Sequence, residues 1–135
     1  MKKHFVQVMF RLAAVAALCI GGTQVVRADD HVVEMIADKD NRFKLPDGKD
    51  VVTLKAGETV RFKINSLFGG EKARDGAVHS FVVRKLRDKG WSVRLKEGVQ
   101  EFTLTAPPPG NYLIECTVEC GPGHETMSIK MVVTK

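Results

Sequence analysis

Apolar and polar positions alternate with a period of two along short segments of the chain after residue 30. These segments are rich in valine, isoleucine, phenylalanine and threonine, and they span residues 31–37, 51–65, 78–86, 99–106, 110–118 and 127–134. Such residues favour half-buried strands. Turn sequences such as "PDGK" and "PPPGN" separate them, and no helical period is present. The pattern therefore predicts an all-β fold, an antiparallel sandwich or barrel.

The first 28 residues have a different pattern. Three basic residues precede an apolar run over residues 12–22, and "VRA" ends at Ala28, in the small-residue style of a signal-peptidase site. The apolar run is well short of the ~20 residues that span a bilayer. We therefore expect a cleaved signal peptide over residues 1–28, export to the periplasm, and one domain over residues 29–135.

The charge of the chain depends on that signal. The sequence has 21 basic and 16 acidic residues, a formal net charge of +5. Four of the basic residues lie in the predicted signal, so 17 remain against 16 acids, and no nucleic-acid partner is expected. Residues 84–96 hold six basic residues and one acid. A solvated face is the simpler interpretation of this stretch; a partner that binds it is expected to be acidic.

Candidate chemistry is concentrated in residues 116–127, "CTVECGPGHETM". Cys116, Cys120, His124 and Met127 all carry side chains that bind soft or borderline metals. Alternation places Cys116 where a strand ends, just before a loop that contains Gly-Pro-Gly, and His79 opens another predicted strand. Ligands at strand ends suit a preformed site on a rigid sandwich.

Three interpretations of this loop compete. A Cys116–Cys120 disulfide fits an exported protein, but it leaves His124 and Met127 without a role. Structural zinc usually takes two ligand pairs, each two to four residues apart, and methionine is a poor zinc ligand. Copper accepts thiolate, thioether and imidazole together, and the second cysteine, one more than a blue-copper site needs, allows two sulfurs to bridge two ions.

The loop resembles the binuclear copper A loop of cytochrome c oxidase subunit II and of nitrous oxide reductase. "GAVHSFVV" is similar to the upstream histidine segment of that family, and "PPPGNYLIECTVECGPGH" is similar to the strand that leads into the loop. The resemblance covers roughly residues 51–134. It implies a cupredoxin-like Greek-key β-sandwich that holds two copper ions, with no catalytic residue and no chemistry beyond electron passage.

The resemblance also implies a set of metal ligands. They are Cys116 and Cys120 as bridging thiolates, His79 and His124 as terminal ligands, Met127 as a weak ligand of one copper, and the backbone carbonyl of Val118 as a weak ligand of the other. The oxidase family often has glutamate at the position of Val118, whereas here the glutamate is Glu119. Because the family uses a main-chain oxygen there, the difference need not remove a ligand.

The resemblance implies an exported carrier that passes single electrons to a respiratory oxidase or a related enzyme, at most the subunit through which electrons reach such a complex. The partner is then a cytochrome or an oxidase subunit, and membrane contact comes only through that complex or an uncleaved presequence. Two departures favour a second hypothesis, a periplasmic factor that delivers copper for oxidase assembly. The stretch "HVVEMIADKDNRF" lacks the tryptophan that belongs, in the family, to the aromatic cluster through which cytochrome c delivers electrons. Only the short presequence stands where the family has transmembrane helices. The third hypothesis is a purely structural sandwich with a Cys116–Cys120 disulfide.

Overall fold

The computed structural model describes residues 31–135 as nine strands and two short 3-10 helices. The strands are β1 (His31–Ala37), β2 (Phe43–Lys44), β3 (Val51–Lys55), β4 (Thr59–Ser66), β5 (Ala77–Val82), β6 (Ser92–Lys96), β7 (Gly98–Thr105), β8 (Gly110–Glu115) and β9 (Ser128–Thr134). The 3-10 helices are Arg84–Lys89 and His124–Thr126. The predicted signal peptide lies outside the described residues. Within residues 31–135, no helix has the length and apolarity that crossing a membrane requires.

The strands form two sheets with a shared core. The four-stranded sheet has the order β2-β1-β4-β7, and the five-stranded sheet has the order β3-β9-β8-β5-β6. The predicted all-β Greek-key sandwich is confirmed. One detail of the antiparallel prediction is wrong, because β1 pairs with β4 and β3 pairs with β9 in parallel. Between β1 and β4 the chain crosses to the other sheet to form β3 and then returns. The alternation of apolar and polar residues within a strand does not show whether the strand pairs in parallel or antiparallel.

An aromatic cluster joins the two sheets beneath β5. Phe62 of β4 and Phe81 of β5 are fully buried, and their ring centroids lie 4.8 Å apart. Trp91 packs against both rings, and its indole N–H donates to the Thr105 carbonyl at 3.2 Å. Burial of one such ring stabilises the fold by about 1.5–3 kcal/mol. Because Phe81 and His79 share a face of β5, the cluster anchors the strand that carries His79.

The structure corrects the predicted elements between residues 78 and 96. The strand that begins before His79 ends at Val82, and the following basic residues form the first 3-10 helix. Gly90, with φ of 88°, ends that helix, and β6 follows as an edge strand that the sequence pattern did not predict. Charged side chains are common on edge strands because they discourage pairing with other chains.

Candidate metal centre

The loop that connects β8 to β9 folds back on itself at one end of the sandwich. The Cys116 N–H donates to the Met127 carbonyl at 3.0 Å, so the two ends of the loop are joined. Within the loop, the Met127 N–H donates to the His124 carbonyl at 3.0 Å, which closes the second 3-10 helix. Gly123 precedes that helix with φ of 91°, a conformation that glycine adopts readily. The loop therefore gathers residues that are separate in sequence around one point.

Cys120 lies at that point. Its Sγ is 3.7 Å from Cys116 Sγ, 3.4 Å from His124 Nδ1 and 3.8 Å from Met127 Sδ. Both cysteines of the described chain are buried free thiols. A disulfide has an S–S distance of about 2.05 Å, so the disulfide interpretation does not describe this structure. The two sulfurs instead face the same space, with an imidazole and a thioether beside them.

His79 approaches the two thiols from β5. A shift in the pairing of β5 with β6 between Ala77 and His79 marks a β-bulge, and bulges redirect side chains. The His79 side chain is 0% exposed, and its Nε2 lies 2.7 Å from the Leu67 carbonyl oxygen. Because a carbonyl only accepts, Nε2 carries the hydrogen, and Nδ1 keeps its lone pair. A ring nitrogen of His79 and the two Sγ atoms all lie within 4.8 Å of one another.

The lone pair of His79 Nδ1 is an informative feature of the site. Among residues 31–135, this buried nitrogen has no hydrogen-bond partner. Buried polar atoms in proteins nearly always have a partner, and an exception needs an explanation. A metal bound between the imidazole and the thiols supplies that partner, so the residues present fit a metal ion.

Val118 and Ser80 fix the beginning of the loop. The Val118 carbonyl oxygen is 3.3 Å from Cys116 Sγ, while the Val118 side chain is buried in the core. Ser80 is fully buried, and its Oγ accepts the Thr117 N–H at 2.7 Å. Ser80 was not among the site residues predicted from the sequence. The available signal was a hydroxyl residue inside "VHSFVV", a run that is otherwise apolar after His79.

The protonation states follow from burial. Burial, together with the adjacent Cys116, raises the pKa of Cys120 to about 12. Burial also lowers the pKa of His79, although the Leu67 carbonyl and Asp38 partly oppose that shift. At neutral pH the metal-free site therefore contains a protonated Cys120 thiol and a neutral His79 imidazole. Because metals bind the thiolate, uptake of a metal releases the proton of Cys120.

The structure brings all six predicted ligand residues to one place. The donors are two thiols, two imidazoles, one thioether and the carbonyl of Val118. A structural zinc site is complete with four ligands and has no use for Met127 or the Val118 carbonyl. Sulfur and imidazole donors together suit copper, so the donor set fits copper better than zinc.

Comparisons with known proteins establish the fold. No family profile matches the sequence, and no curated protein matches it. A chain of a heme-copper terminal oxidase dimer is 20% identical with a TM-score of 0.58, over 81% of this chain and 68% of that one. Auracyanin from Roseiflexus castenholzii is 18% identical with a TM-score of 0.54, over 78% of this chain and 98% of that one. The periplasmic domain of cytochrome oxidase subunit II from Bradyrhizobium japonicum is 15% identical with a TM-score of 0.54, over 78% and 85%. The predicted cupredoxin-like fold, shared with oxidase subunit II, is confirmed.

Proposed function

We propose that this chain is an exported electron-transfer protein whose domain, residues 29–135, holds a binuclear copper A centre. The observation that carries the proposal is the pair of buried, unbridged thiols 3.7 Å apart, next to the unpartnered lone pair of His79. Two thiolates placed in this way can each contact two metal ions. His79 and His124 are then the terminal ligands, and Met127 and the Val118 carbonyl are the weak ones.

The protein's own residues make the site suitable for electron transfer. Bound copper supplies a one-electron redox couple. The Leu67 carbonyl fixes the orientation and tautomer of His79, as partners of ligating histidines generally do. The hydrogen bond between the ends of the loop limits the movement of Cys116 and Met127. Because the ligands are held before the metal binds, their positions change little with the charge of the site, which lowers the reorganisation barrier.

An exposed apolar pair provides a route from the buried ligand to the surface. Leu67, whose carbonyl accepts the His79 hydrogen bond, is 39% exposed, and Phe68 is 46% exposed. We propose that the redox partner contacts this pair, since it lies one hydrogen bond and a short stretch of backbone from His79. This contact takes the place of the tryptophan that the segment 31–43 lacks.

The partner is proposed to be a cytochrome or an oxidase subunit in the periplasm. Export follows from the predicted signal over residues 1–28, and membrane association follows from docking to a complex or from an uncleaved presequence. Two of the six basic residues in the stretch 84–96 pair with carboxylates of this chain, Arg84 with Glu115 and Arg94 with Asp75. The other four remain available to an acidic partner, whereas Glu71, Glu119 and Glu125 line the cleft beside His124 and suit a basic one. Charge-reversal substitutions on each surface in turn, with the rate of electron exchange measured at several ionic strengths, show which of the two surfaces the partner binds.

Copper delivery to an oxidase is the second candidate function. The observation that favours it is the position of His124, which is half-buried and borders an open cleft of about 370 Å³, so that an acceptor protein could reach this end of the site. The test mixes copper-loaded protein with an excess of a cuprous chelator and, separately, with a reduced cytochrome. A carrier keeps its copper and exchanges electrons reversibly. A delivery factor loses its copper rapidly and shows no electron exchange.

A further inference from the structure

A buried asparagine links two loops of the candidate metal centre. Asn41, in the turn between β1 and β2, is 0% exposed. Its amide nitrogen donates to the Gly69 carbonyl at 3.0 Å and to the Pro122 carbonyl at 2.6 Å. A side-chain amide has two N–H donors, and here one acceptor comes from each loop. Gly69 follows the Leu67–Phe68 pair, and Pro122 lies between Cys120 and His124.

Glycines provide the space for this contact. A Cβ atom at Gly69 would lie 1.9 Å from Asn41 Oδ1, and a Cβ atom at Gly121 would lie 2.3 Å from the Gly69 carbonyl oxygen. Gly123 has less of a restriction, since its Cβ atom would lie 3.0 Å from the Asp40 carbonyl oxygen, a tight contact but not an excluded one. Real Cβ atoms essentially never approach other atoms to less than 3.0 Å. The turn that carries Asn41 and the two loops therefore pack this closely only because residues 69 and 121 are glycines.

The turn that presents Asn41 is itself held in place. The Asp38 carboxylate accepts the N–H groups of Asp40 and Arg42, each at 3.0 Å, and it also pairs with Lys44. The Asn41 N–H donates to the Asp38 carbonyl at 3.1 Å. Asn41 has φ of 56°, a left-handed conformation that asparagine tolerates better than most residues. The amide thus projects from a rigid turn.

We propose that Asn41 is a positioning residue for the metal centre. Its amide donates one hydrogen bond to the loop that contains Leu67 and orients His79, and one to the loop that carries Cys120 and His124. We call this pair of hydrogen bonds the tie. This inference rests on the proposed metal centre, but the tie is present without metal and can be tested in its absence. Loss of the tie lets the two loops separate, which exposes the thiols in the metal-free protein and loosens the ligands in the loaded one.

The first experiment measures how fast the thiols of the reduced, metal-free protein react with an aromatic disulfide reagent. Asn41→Gly keeps the left-handed conformation and removes both hydrogen bonds. Because two hydrogen bonds that hold the loops together are lost, we expect the reaction to be about tenfold faster or more. Asn41→Asp, which turns a carboxylate toward two carbonyls, is expected to have the same effect. Asn65→Asp is the charge-matched control on an exposed position of β4, and we expect no change. Equal rates in all four proteins overturn the proposal.

The second experiment tests the contact from its other side. Gly69→Ala pushes against Asn41 Oδ1 without changing Asn41 or any candidate ligand, so it also gives a folded test protein if Asn41→Gly does not fold. We expect Gly69→Ala alone to accelerate thiol modification. In the Asn41→Gly background the same substitution is expected to add little, because the atom it would meet is gone. Additive effects of the two substitutions indicate independent sites and contradict the proposed tie.

The third experiment separates positioning from general stability in copper-loaded protein. We expect Asn41→Gly to release copper to a chelator about tenfold faster or more, by the same loss of two hydrogen bonds, and to shift the hyperfine splittings and the reduction potential. A residue that only stabilises the fold lowers the melting temperature but leaves the spectrum and the potential unchanged, and that result overturns the proposal. If the wild-type protein binds no copper, the proposed function is rejected, while the thiol kinetics still decide whether the tie exists.

Discussion

Ser80 gives a quantitative test of how β5 supports the loop that connects β8 to β9. Its hydroxyl oxygen accepts the Thr117 N–H at 2.7 Å and lies 3.1 Å from Thr117 Oγ1. Ser80→Ala removes this acceptor and leaves the N–H that follows Cys116 without a protein partner. Because Ser80 is fully buried, water replaces the hydroxyl poorly.

The expected loss follows from the cost of an unpaired buried donor, about 1–3 kcal/mol. With a urea m-value of about 2 kcal/mol/M for a domain of this size, the unfolding midpoint of the metal-free protein is expected to fall by about 0.5–1.5 M. The measurement is equilibrium urea unfolding, followed by tryptophan fluorescence of Trp91, which is buried in the aromatic cluster.

Ser92→Ala is the matched control, since Ser92 is an exposed residue at the start of β6. Surface substitutions usually change stability by less than about 0.5 kcal/mol. If Ser80→Ala is no more destabilising than Ser92→Ala, the hydrogen bond to Thr117 does not hold the start of the loop in place.

Three further predictions test the surface, the charges and the sulfur pair. Phe68→Ser is expected to weaken binding of the redox partner by about 1 kcal/mol or more, measured by stopped-flow electron exchange, without changing the copper spectrum. Val99→Ser, also at an exposed apolar residue, is the control and is expected to change neither the binding nor the spectrum. The Arg94 guanidinium, together with the Ala77 N–H, lowers the pKa of Asp75 to about 2. The stability that this carboxylate contributes is therefore present above its ordinary pKa of 3.8 and is lost as the pH falls through about 2. The difference in melting temperature between wild type and Asp75→Asn should therefore be present at neutral pH and shrink as the pH falls through about 2. A difference that does not depend on pH contradicts this. Cys120→Ser is expected to leave at most one copper per chain with a four-line spectrum, and an unchanged spectrum shows that Cys120 is not a bridge.

The strands that the sequence predicted well are those with one face in the core and one in solvent. β1 has the predicted bounds, His31–Ala37: its inward residues Val33, Met35 and Ala37 are apolar and buried, although Val32 on the other face is apolar and exposed. β5 is buried on both faces, so its end could not be read from alternation, and the predicted strand ran on into the first 3-10 helix. β6 was missed because its charged outer face, with Arg94 and Lys96, looks like a solvated segment.

The candidate ligand residues could be singled out from the sequence because most of them lie within one short segment. Cys116, Cys120, His124 and Met127 occupy 12 consecutive positions, so their spacing alone specifies a chemistry. The residues that hold the ligands in place were not predictable in this way. Asn41 contacts Pro122 across 81 positions and Ser80 contacts Thr117 across 37, and only the folded chain brings them together. The glycine at position 69 reads as an ordinary turn residue until Asn41 is seen beside it.

The proposed function requires that one chain hold two copper ions between Cys116 and Cys120. The most direct measurement is the copper-to-protein ratio of the reconstituted domain, made together with its electron paramagnetic resonance spectrum. We expect two copper ions per chain and seven hyperfine lines, since one unpaired electron would be shared by two equivalent copper nuclei. One copper ion per chain with a four-line spectrum, or no copper at all, contradicts it.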